Sequence, residues 1–230
     1  MSGRKPGPFC ASMPSRTAES VYLMSMRIVE HPLARHLVTR LRDVETEPAQ
    51  FRTITDHLSV LLALEATRDL PLEAVWVQTP LERAEGHTLS GGPLVVVAIL
   101  RAGLGMLSAV VALFPEVAVG YIGLERDHTT ARASSYYRKL PTVAGRTTLL
   151  VDPMLATGGS ACQAIEAIKA AGGADIRLLC VVAAPEGVRA VEERHPDVPI
   201  IGAALDRELD ARKYILPGLG DFGDRLYGTL

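Results

Sequence analysis

The sequence has few cysteines, few aromatic residues and no long apolar run. Its three cysteines, Cys10, Cys162 and Cys180, are widely spaced, which suits neither a disulfide framework nor a zinc site. Free thiols favour a reducing compartment, so the expected location is the cytoplasm. The strongest apolar run, residues 94–100, is far shorter than the roughly 20 residues that a membrane-spanning helix needs. No apolar segment follows the basic N-terminal residues, so we expect no signal peptide.

The sequence also lacks an excess of charge of either sign. Its formal net charge is −2, so there is no global field that would attract nucleic acid, and any site for a polyanion must be local. Hydrophobic residues make up 48% of the chain, which is enough for a sizeable core. Residues 1–18, rich in Gly, Pro, Ser and Arg, predict a disordered tail, and residues 19–230 predict a single domain.

Helices and apolar strands alternate through most of the chain. Apolar residues at helical spacing predict helices near 33–41 and 48–68, and a short extended stretch precedes a Gly-rich turn at 91–93. Beyond that turn, strands are predicted at 94–100, 117–124, 147–151, 176–184 and 199–205, with helices at 104–114, 161–173 and 186–195. This pattern predicts an α/β fold with a central, mostly parallel sheet flanked by helices, whose ligands bind beyond the carboxyl ends of the strands.

One loop at the end of a predicted strand combines a carboxylate, hydroxyls and glycines. Its residues are Asp152, Pro153, Met154, Leu155, Ala156, Thr157, Gly158, Gly159 and Ser160. Two glycines at a helix N-terminus let successive backbone N–H groups, from Ala156 through Ser160, converge on an anion. The Asp152 carboxylate would repel a phosphate but would accept hydrogen bonds from sugar hydroxyls. The loop therefore predicts a sugar-phosphate site, with a plain strand-to-helix turn as the alternative.

The same loop resembles the phosphoribosyl-pyrophosphate (PRPP) signature of type I phosphoribosyltransferases, in the form found in uracil phosphoribosyltransferases. Most type I enzymes carry two consecutive acidic residues there, whereas the second position here is Pro153. The stretches ILRAGLGM (99–106), AAPEG (183–187), HPLA (31–34) and YILPGLGDFGDRLYGT (214–229) also resemble that family. The resemblance runs from about Arg27 to Thr229 and implies the family's fold, with a base-binding hood at about 206–230.

Arg101 directly follows an apolar strand and should lie on the ligand side of the sheet. A guanidinium there can bind a pyrophosphate through two parallel hydrogen bonds, and the alternative is an arginine that only forms a salt bridge. The family resemblance favours pyrophosphate.

Near the C-terminus, Gly218, Gly220 and Gly223 spell a dinucleotide-binding fingerprint. Only seven residues follow, so the stretch cannot open a βαβ unit. A packed loop whose backbone groups meet a planar base is predicted instead, and a loop that touches no ligand is the alternative. The resemblance implies main-chain contacts to uracil at Ile215, Gly220 and Phe222, with Asp221 in the same stretch contacting PRPP.

A polar segment at about 125–146 interrupts the alternation and is expected to form a protruding arm, or else a solvated surface loop. The resemblance implies a flexible arm in which Arg126 binds PRPP, and closure of such an arm would exclude water from the reaction. Two family carboxylates are replaced here by His128 and Thr129. Further departures are Asp210 for the usual Asn, Lys213 for Gly and Phe222 for Ala, and an inward-pointing Phe222 would narrow the base pocket.

The resemblance implies the reaction uracil + PRPP → UMP + pyrophosphate, a step of pyrimidine salvage. Mg²⁺ carried by PRPP, with no direct protein ligand, is expected to stabilise the leaving pyrophosphate. The expected catalytic residues are Arg101, Arg126 and Asp221, and the expected PRPP-binding set is Arg101, Arg126, residues 152–160 and Asp221. The expected uracil-binding set is Ile215, Gly220, Asp221 and Phe222.

Three alternatives stay open from the sequence. A relative that senses PRPP or nucleotides without turnover would fit the altered arm and Phe222, a transferase could take another base, and an RNA-binding regulator is disfavoured by the charge balance. The resemblance implies homodimers or higher homo-oligomers and, in some relatives, activation by GTP. Trp76 is expected to be a packing residue, and His57, His87 and His195 to be surface or hydrogen-bonded residues.

Overall fold

The structure, a computed structural model, describes residues 26–126 and 133–229, with the side chains of 125, 126 and 133–135 left out of the description. The tail at 1–18, His128 and Thr129 lie outside the described residues. No helix in the described part of the chain is long and apolar enough to cross a membrane.

A mostly parallel sheet forms the centre of the fold, as the alternating pattern predicts. Its main strands stand in the order β1-β10-β9-β7-β4-β5-β6, and β8 extends the pairing of β9. Every pair is parallel except the antiparallel pair of β5 and β6. The strands are β1 (Met26–Ile28), β4 (Val95–Leu100), β5 (Ala118–Arg126), β6 (Ala133–Lys139), β7 (Thr148–Val151), β8 (Met154–Leu155), β9 (Ile176–Ala183) and β10 (Ile200–Leu205).

Helices cover both faces of this sheet. On one face lie α1 (Pro32–Arg42), α2 (Pro48–Ala66), α3 (Leu104–Leu113) and α6 (Phe222–Tyr227), and on the other lie α4 (Gly159–Ala170) and α5 (Pro185–Arg194). In β4, Val96 and Ala98 pack on the first face while Val95, Val97 and Ile99 pack on the second. Burial on both faces explains why these strands read as continuous apolar runs instead of alternating ones.

A separate hairpin stands apart from the central sheet. The strands β2 (Leu72–Gln78) and β3 (Arg83–Leu89) pair antiparallel with each other, and β3 lies in a segment for which the sequence pattern predicts no strand. Trp76, which is expected to be a packing residue, is 58% exposed on this hairpin. The guanidinium of Arg83 lies 4.8 Å from the centre of the Trp76 ring.

The predicted arm begins as an edge of the main sheet. β5 runs on to Arg126, and β6 returns beside it with a register shift between Gly123 and Leu124. The ring of Tyr136 lies over Gly123, where a Cβ would come within 2.5 Å of it. This close approach explains the glycine at that position.

The C-terminal segment folds back over the carboxyl end of the sheet. It contains the short antiparallel pair β11 (Glu208–Leu209) and β12 (Ile215–Leu216), followed by α6. The guanidinium of Arg225 donates to the carbonyls of Leu41, Leu219 and Asp43 and lies 4.7 Å from the centre of the Phe51 ring. These contacts attach the segment to the end of α1 and to α2.

Candidate active site

The loop after β7 forms a small concave site at the carboxyl end of the sheet. Backbone and side-chain atoms from residues 154–161, together with Asp152, surround a cavity of about 20 Å³, while Pro153 is buried and does not line it. The carbonyl of Pro153 accepts from the N–H groups of Val181 and Val182, at 3.0 and 3.1 Å. Pro153 therefore fastens the loop to β9.

Gly158 sets the shape of this loop. It has a φ of 77°, in the left-handed region, and precedes the first turn of α4. A Cβ at Gly158 would come within 2.8 Å of the Gly187 carbonyl oxygen and 2.9 Å of the Ala190 Cβ. Gly187 is confined in turn, since a Cβ there would lie 2.5 Å from the Ala156 carbonyl oxygen. Paired glycines thus let the start of α5 pack directly against the loop.

The donors that face the small cavity come from the first turn of α4. The helical hydrogen-bond series begins with the bond from Cys162 N–H to the Gly158 carbonyl, at 2.9 Å, so the N–H groups of Gly159, Ser160 and Ala161 precede it. The N–H of Ala156 donates instead to the Met154 carbonyl, at 3.1 Å. The Ala156 N–H is thus engaged within the loop, although the residue lines the cavity, and Ala161 joins the predicted residues there.

Arg101 lies at the carboxyl end of β4, where the sequence predicts it. Its side chain is exposed, and within residues 26–126 and 133–229 no salt bridge to it is found. The turn that follows is tight, because a Cβ on Gly103 would lie 2.5 Å from the Val151 carbonyl oxygen. The strand end of β4 is thereby held against that of β7, which carries Asp152.

A larger cleft of about 310 Å³ lies between the C-terminal segment and the loop. Its walls come from Ala102, Met154, Ala156, residues 212–215 and residues 220–223. Met154 and Ala156 also line the small cavity, so the two spaces share a wall. The structure brings together Ile215, Gly220, Asp221 and Phe222 on the one side and the loop at 152–160 on the other.

Asp221 lies at the mouth of this cleft and is exposed. Its Oδ1 accepts from the N–H of Asp224 at 2.9 Å, which makes Asp221 the N-cap of α6. The sequence did not indicate this second role, since a short helix so close to the C-terminus carries no periodic signal.

The ring of Phe222 points away from the cleft. The side chain is 2% exposed and belongs to the core cluster on the α1 and α2 face of the sheet. Gly105 provides the space, because a Cβ there would lie 3.1 Å from the Phe222 ring. A ring in this position does not narrow the base pocket, and only the remainder of the residue borders the cleft.

The turn between β11 and β12 contains two departures from the family pattern. Asp210 accepts from the N–H groups of Arg212 and Tyr214, both at 2.8 Å, so its carboxylate closes the turn. Lys213 has a φ of 70°, in the left-handed region that favours glycine. The resemblance predicts Gly at this position, and the backbone explains why.

The pattern alone gave no sign of three further contacts around the site. Glu186 accepts from the N–H of Leu209 at 3.1 Å, and its other oxygen is buried without a hydrogen-bond partner among the described residues. Arg42 pairs with Asp206, and Arg225 braces the end of α1. The AAPEG match contains Glu186, but Arg42 and Asp206 lie 164 positions apart, so no local spacing reveals their pairing.

No group of three or more His, Cys, Asp or Glu side chains in the described residues could hold a metal ion.

Under the loop, burial raises the pKa of the Cys180 thiol, and the nearby carboxylate of Asp152 raises it further. Arg126 ends β5, the strand between β4 and the edge strand β6, and its side chain lies outside the described atoms.

Comparison with known proteins gives a consistent result. The sequence model of the uracil phosphoribosyltransferase family matches residues 28–229. A uracil phosphoribosyltransferase from Symbiobacterium thermophilum is 52% identical over 203 residues, covering 88% of this chain and 97% of the relative. One from Bacillus pumilus is 50% identical over the same shares.

A solved structure of a protein from Aquifex aeolicus has the same architecture. It superposes with a TM-score of 0.84 at 35% sequence identity, over 88% of this chain and 97% of the other. The fold and the order of its elements are thus shared over the whole described domain.

Proposed function

The chain belongs to the uracil phosphoribosyltransferase family, and we propose that its two adjoining cavities bind PRPP and uracil for the reaction uracil + PRPP → UMP + pyrophosphate. The observation that carries this assignment of sites is the wall shared by the two spaces, formed by Met154 and Ala156. A base in the larger cleft would lie next to a ribose whose phosphate occupies the smaller one. That proximity is the main requirement for transfer between two bound substrates.

In this proposal the loop at 152–160 holds the ribose 5-phosphate and the sugar. The N–H groups of Gly159, Ser160 and Ala161 and the dipole of α4 favour the phosphate. Asp152 would accept from the ribose hydroxyls. Pro153 acts indirectly, because it is buried and fixes the loop to β9.

The leaving pyrophosphate is assigned to Arg101 and Arg126. Both residues follow or end neighbouring strands, β4 and β5, at the carboxyl edge of the sheet. Two guanidinium groups would stabilise the charge that develops as the anomeric bond breaks. The absence of a carboxylate partner for Arg101 among the described residues supports a role in binding an anion.

The uracil site is assigned to Ile215, Gly220 and the main chain of Phe222. Gly220 has a φ of 82° and is exposed at the cleft, which turns its backbone groups toward a ligand. Asp221 would lie between the base and PRPP, where its free carboxylate oxygen can orient a proton or a substrate hydroxyl. The core position of the Phe222 ring argues against a narrowed base pocket, and it leaves the altered arm as the remaining ground for a silent sensor.

Mg²⁺ would be carried by the phosphates of PRPP. Mg²⁺ retains several waters and takes part of its coordination from substrate phosphates, so it needs no cage of protein ligands. When bound, the ion would neutralise charge on the pyrophosphate.

Homo-oligomers and activation by GTP extend this proposal. The hairpin of β2 and β3 exposes Leu72, Trp76 and Leu81, and an isolated two-stranded hairpin is only marginally stable in water, so a second copy of the chain is the expected cover. The buried free thiols Cys162 and Cys180 fit a cytoplasmic location. Light scattering with and without GTP would determine the assembly and any effect of the nucleotide.

The test of the reaction is a direct product assay. Purified protein is mixed with PRPP, Mg²⁺ and uracil, with and without GTP, and UMP is quantified by chromatography, while cytosine, hypoxanthine and orotate run in parallel. UMP from uracil alone is the expected result. Product from another base would reassign the substrate, and no product from any base, with PRPP still binding by calorimetry, would contradict transfer.

A further inference from the structure

A buried ion pair lies behind the C-terminal wall of the larger cleft. Asp206 follows β10, and its side chain is only 4% exposed. Arg42, the last residue of α1, donates through Nη2 to Oδ1 at 2.5 Å and through Nη1 to Oδ2 at 2.8 Å. Two parallel hydrogen bonds of this kind fix the relative orientation of the groups as well as their distance.

The same pair holds both backbone polar groups of Gly218. The Gly218 carbonyl accepts from Arg42 Nη1 at 2.8 Å, and the Gly218 N–H donates to Asp206 Oδ2 at 2.9 Å. Gly218 has a φ of 60°, and a Cβ there would collide with the carbonyl oxygen of Ile215. The turn is therefore set by the ion pair and can be made only by glycine.

Gly218 stands between the residues that line the cleft. Ile215 precedes it by three positions, and Gly220 follows it by two. Neither Arg42 nor Asp206 lines the cleft. The most direct route from the pair to a bound base runs through the backbone of Gly218.

We propose that Arg42 and Asp206 are positioning residues for the base, which act by locking Gly218 and so fixing the backbone groups of Ile215 and Gly220 that face it. This inference rests on the proposed function, because it takes the larger cleft as the uracil site. The proposal predicts different effects on the two substrates, since the loop at 152–160 has its own attachments to β9 and α5. Loss of the ion pair should therefore weaken the binding of uracil far more than the binding of PRPP.

Three variants test the proposal. Asp206→Asn keeps the shape of the side chain but removes its charge. The double variant Arg42→Met with Asp206→Asn removes both charges, so no buried charge is left unpaired and only the Gly218 carbonyl loses its donor. Arg42→Lys keeps a positive charge opposite Asp206 but loses the planar fork, and it serves if the others do not fold.

Arg40→Met is the matched control. Arg40 lies on the same helix and is exposed, and its guanidinium donates to the side chain of Gln50 at 3.2 Å. The Arg40→Met substitution removes one positive charge from α1 without changing a contact to the C-terminal segment. A shared effect of the control and the variants would indicate a general charge effect.

The measurements are the KM for uracil, the kcat, and the Kd for PRPP by calorimetry. We expect the uracil KM to rise about tenfold or more in Asp206→Asn and in the double variant, because small misplacements of a bound reactant are costly, while the PRPP Kd stays nearly constant. Arg42→Lys should recover part of the loss. Equally weakened binding of uracil and PRPP, or an unchanged uracil KM in a folded variant, would overturn the proposal.

Amide hydrogen exchange gives a readout that needs no turnover. The amides of residues 215–221 should exchange faster in the variants, while those of 152–160 should not change. Unchanged exchange at 215–221 would overturn the locking role even if the kinetics moved. A wild-type protein that makes no UMP would contradict the proposed function alone, because the exchange experiment still tests the lock.

Discussion

The ring of Phe222 meets the ring of Phe51 edge-on, with centroids 5.1 Å apart and an angle of 67° between the planes. Edge-to-face pairs of this geometry are favourable beyond the area they bury. Phe51 is fully buried in α2, so the pair joins the start of α6 to the core. A residue next to the proposed base site thus serves mainly to anchor the segment that carries the site.

Replacing Phe222 with alanine should therefore damage stability and leave base preference alone. The loss of a buried ring and its edge contact predicts a fall of about 3–4 kcal/mol in the free energy of unfolding. The preference for uracil over cytosine should not change, since the ring does not face the cleft. Urea unfolding and a base panel measure the two effects.

Tyr227→Ala is the control for that experiment. Tyr227 lies on the same short helix but is 42% exposed, so its removal should cost at most about 0.5 kcal/mol. A Phe222→Ala protein that keeps wild-type stability, or that accepts cytosine, would contradict the core placement of the ring.

Gly158 and Gly145 offer a matched pair of alanine substitutions. Both have positive φ, 77° and 72°, but a Cβ would strike Gly187 and Ala190 at position 158 and nothing within 4 Å at position 145. Gly145→Ala should cost about 1 kcal/mol from the backbone alone, and Gly158→Ala about 2 kcal/mol or more.

The two variants should also differ in PRPP binding. Gly158→Ala must displace the loop from α5, so its PRPP affinity should fall by about tenfold or more, whereas Gly145→Ala should bind as the wild type does. Calorimetry measures the affinities and thermal unfolding the stabilities. If the two proteins bind PRPP equally well, the loop at 152–160 does not hold it.

Much of the fold could be predicted from sequence because strands buried on both faces of the sheet appear as continuous apolar runs. The strands β4, β7, β9 and β10 are continuous apolar runs, and their observed bounds differ from the predicted ones by a residue or two. The hairpin was predicted only in part, because β2 overlaps the short extended stretch before the Gly-rich turn whereas β3 was not predicted. Its strands are largely exposed and mix Glu, His, Thr and Ala with apolar residues, so neither alternation nor a continuous run appears.

The site divides in the same way. The loop at 152–160 and Gly220 could be predicted because their backbone conformations require glycine, and the glycines lie within short stretches. The pairing of Arg42 with Asp206 could not, since it joins two ordinary charged residues from distant parts of the chain. The direction of the Phe222 ring depends on a space beside Gly105 in another helix, which no local pattern records.

Lys213→Gly should stabilise the protein. Lys213 has a φ of 70°, which costs a residue with a side chain about 1 kcal/mol relative to glycine, although the greater freedom of glycine in the unfolded chain offsets part of the gain. We expect a melting temperature higher by about 2 °C. Arg212→Gly, at the neighbouring position without a positive φ, should lower it. A lower melting temperature for Lys213→Gly would show that its backbone is not strained.

Asp221 combines a cap with a charge, and two substitutions separate them. Asparagine caps helices as well as aspartate does, so Asp221→Asn should keep its stability, while Asp221→Ala should lose about 1 kcal/mol. Both should lower kcat by about a hundredfold if the charge acts on the substrates. The comparison needs initial rates with both substrates saturating and a thermal melt of each protein. Full turnover by Asp221→Asn would remove Asp221 from the chemistry.

The buried thiols predict a dependence of stability on alkaline pH. Burial raises the pKa of both Cys162 and Cys180 in the folded chain above the unfolded value of about 8.5. The folded state then holds more protons than the unfolded state once the pH passes that value, so this contribution is fully present below it and is lost as the pH rises toward the folded pKa.

Cys180→Ala isolates this effect from the titration of lysine and tyrosine. Between pH 8 and pH 10, the wild type should lose more stability than the variant, because the variant buries only the thiol of Cys162 whereas the wild type buries that of Cys180 as well. Alkylation mapped by mass spectrometry should leave Cys162 and Cys180 unmodified in the native protein and modify both in urea. Equal slopes for the two proteins, or rapid alkylation of Cys180 in the native state, would show that the thiol is accessible and that β9 does not shield it.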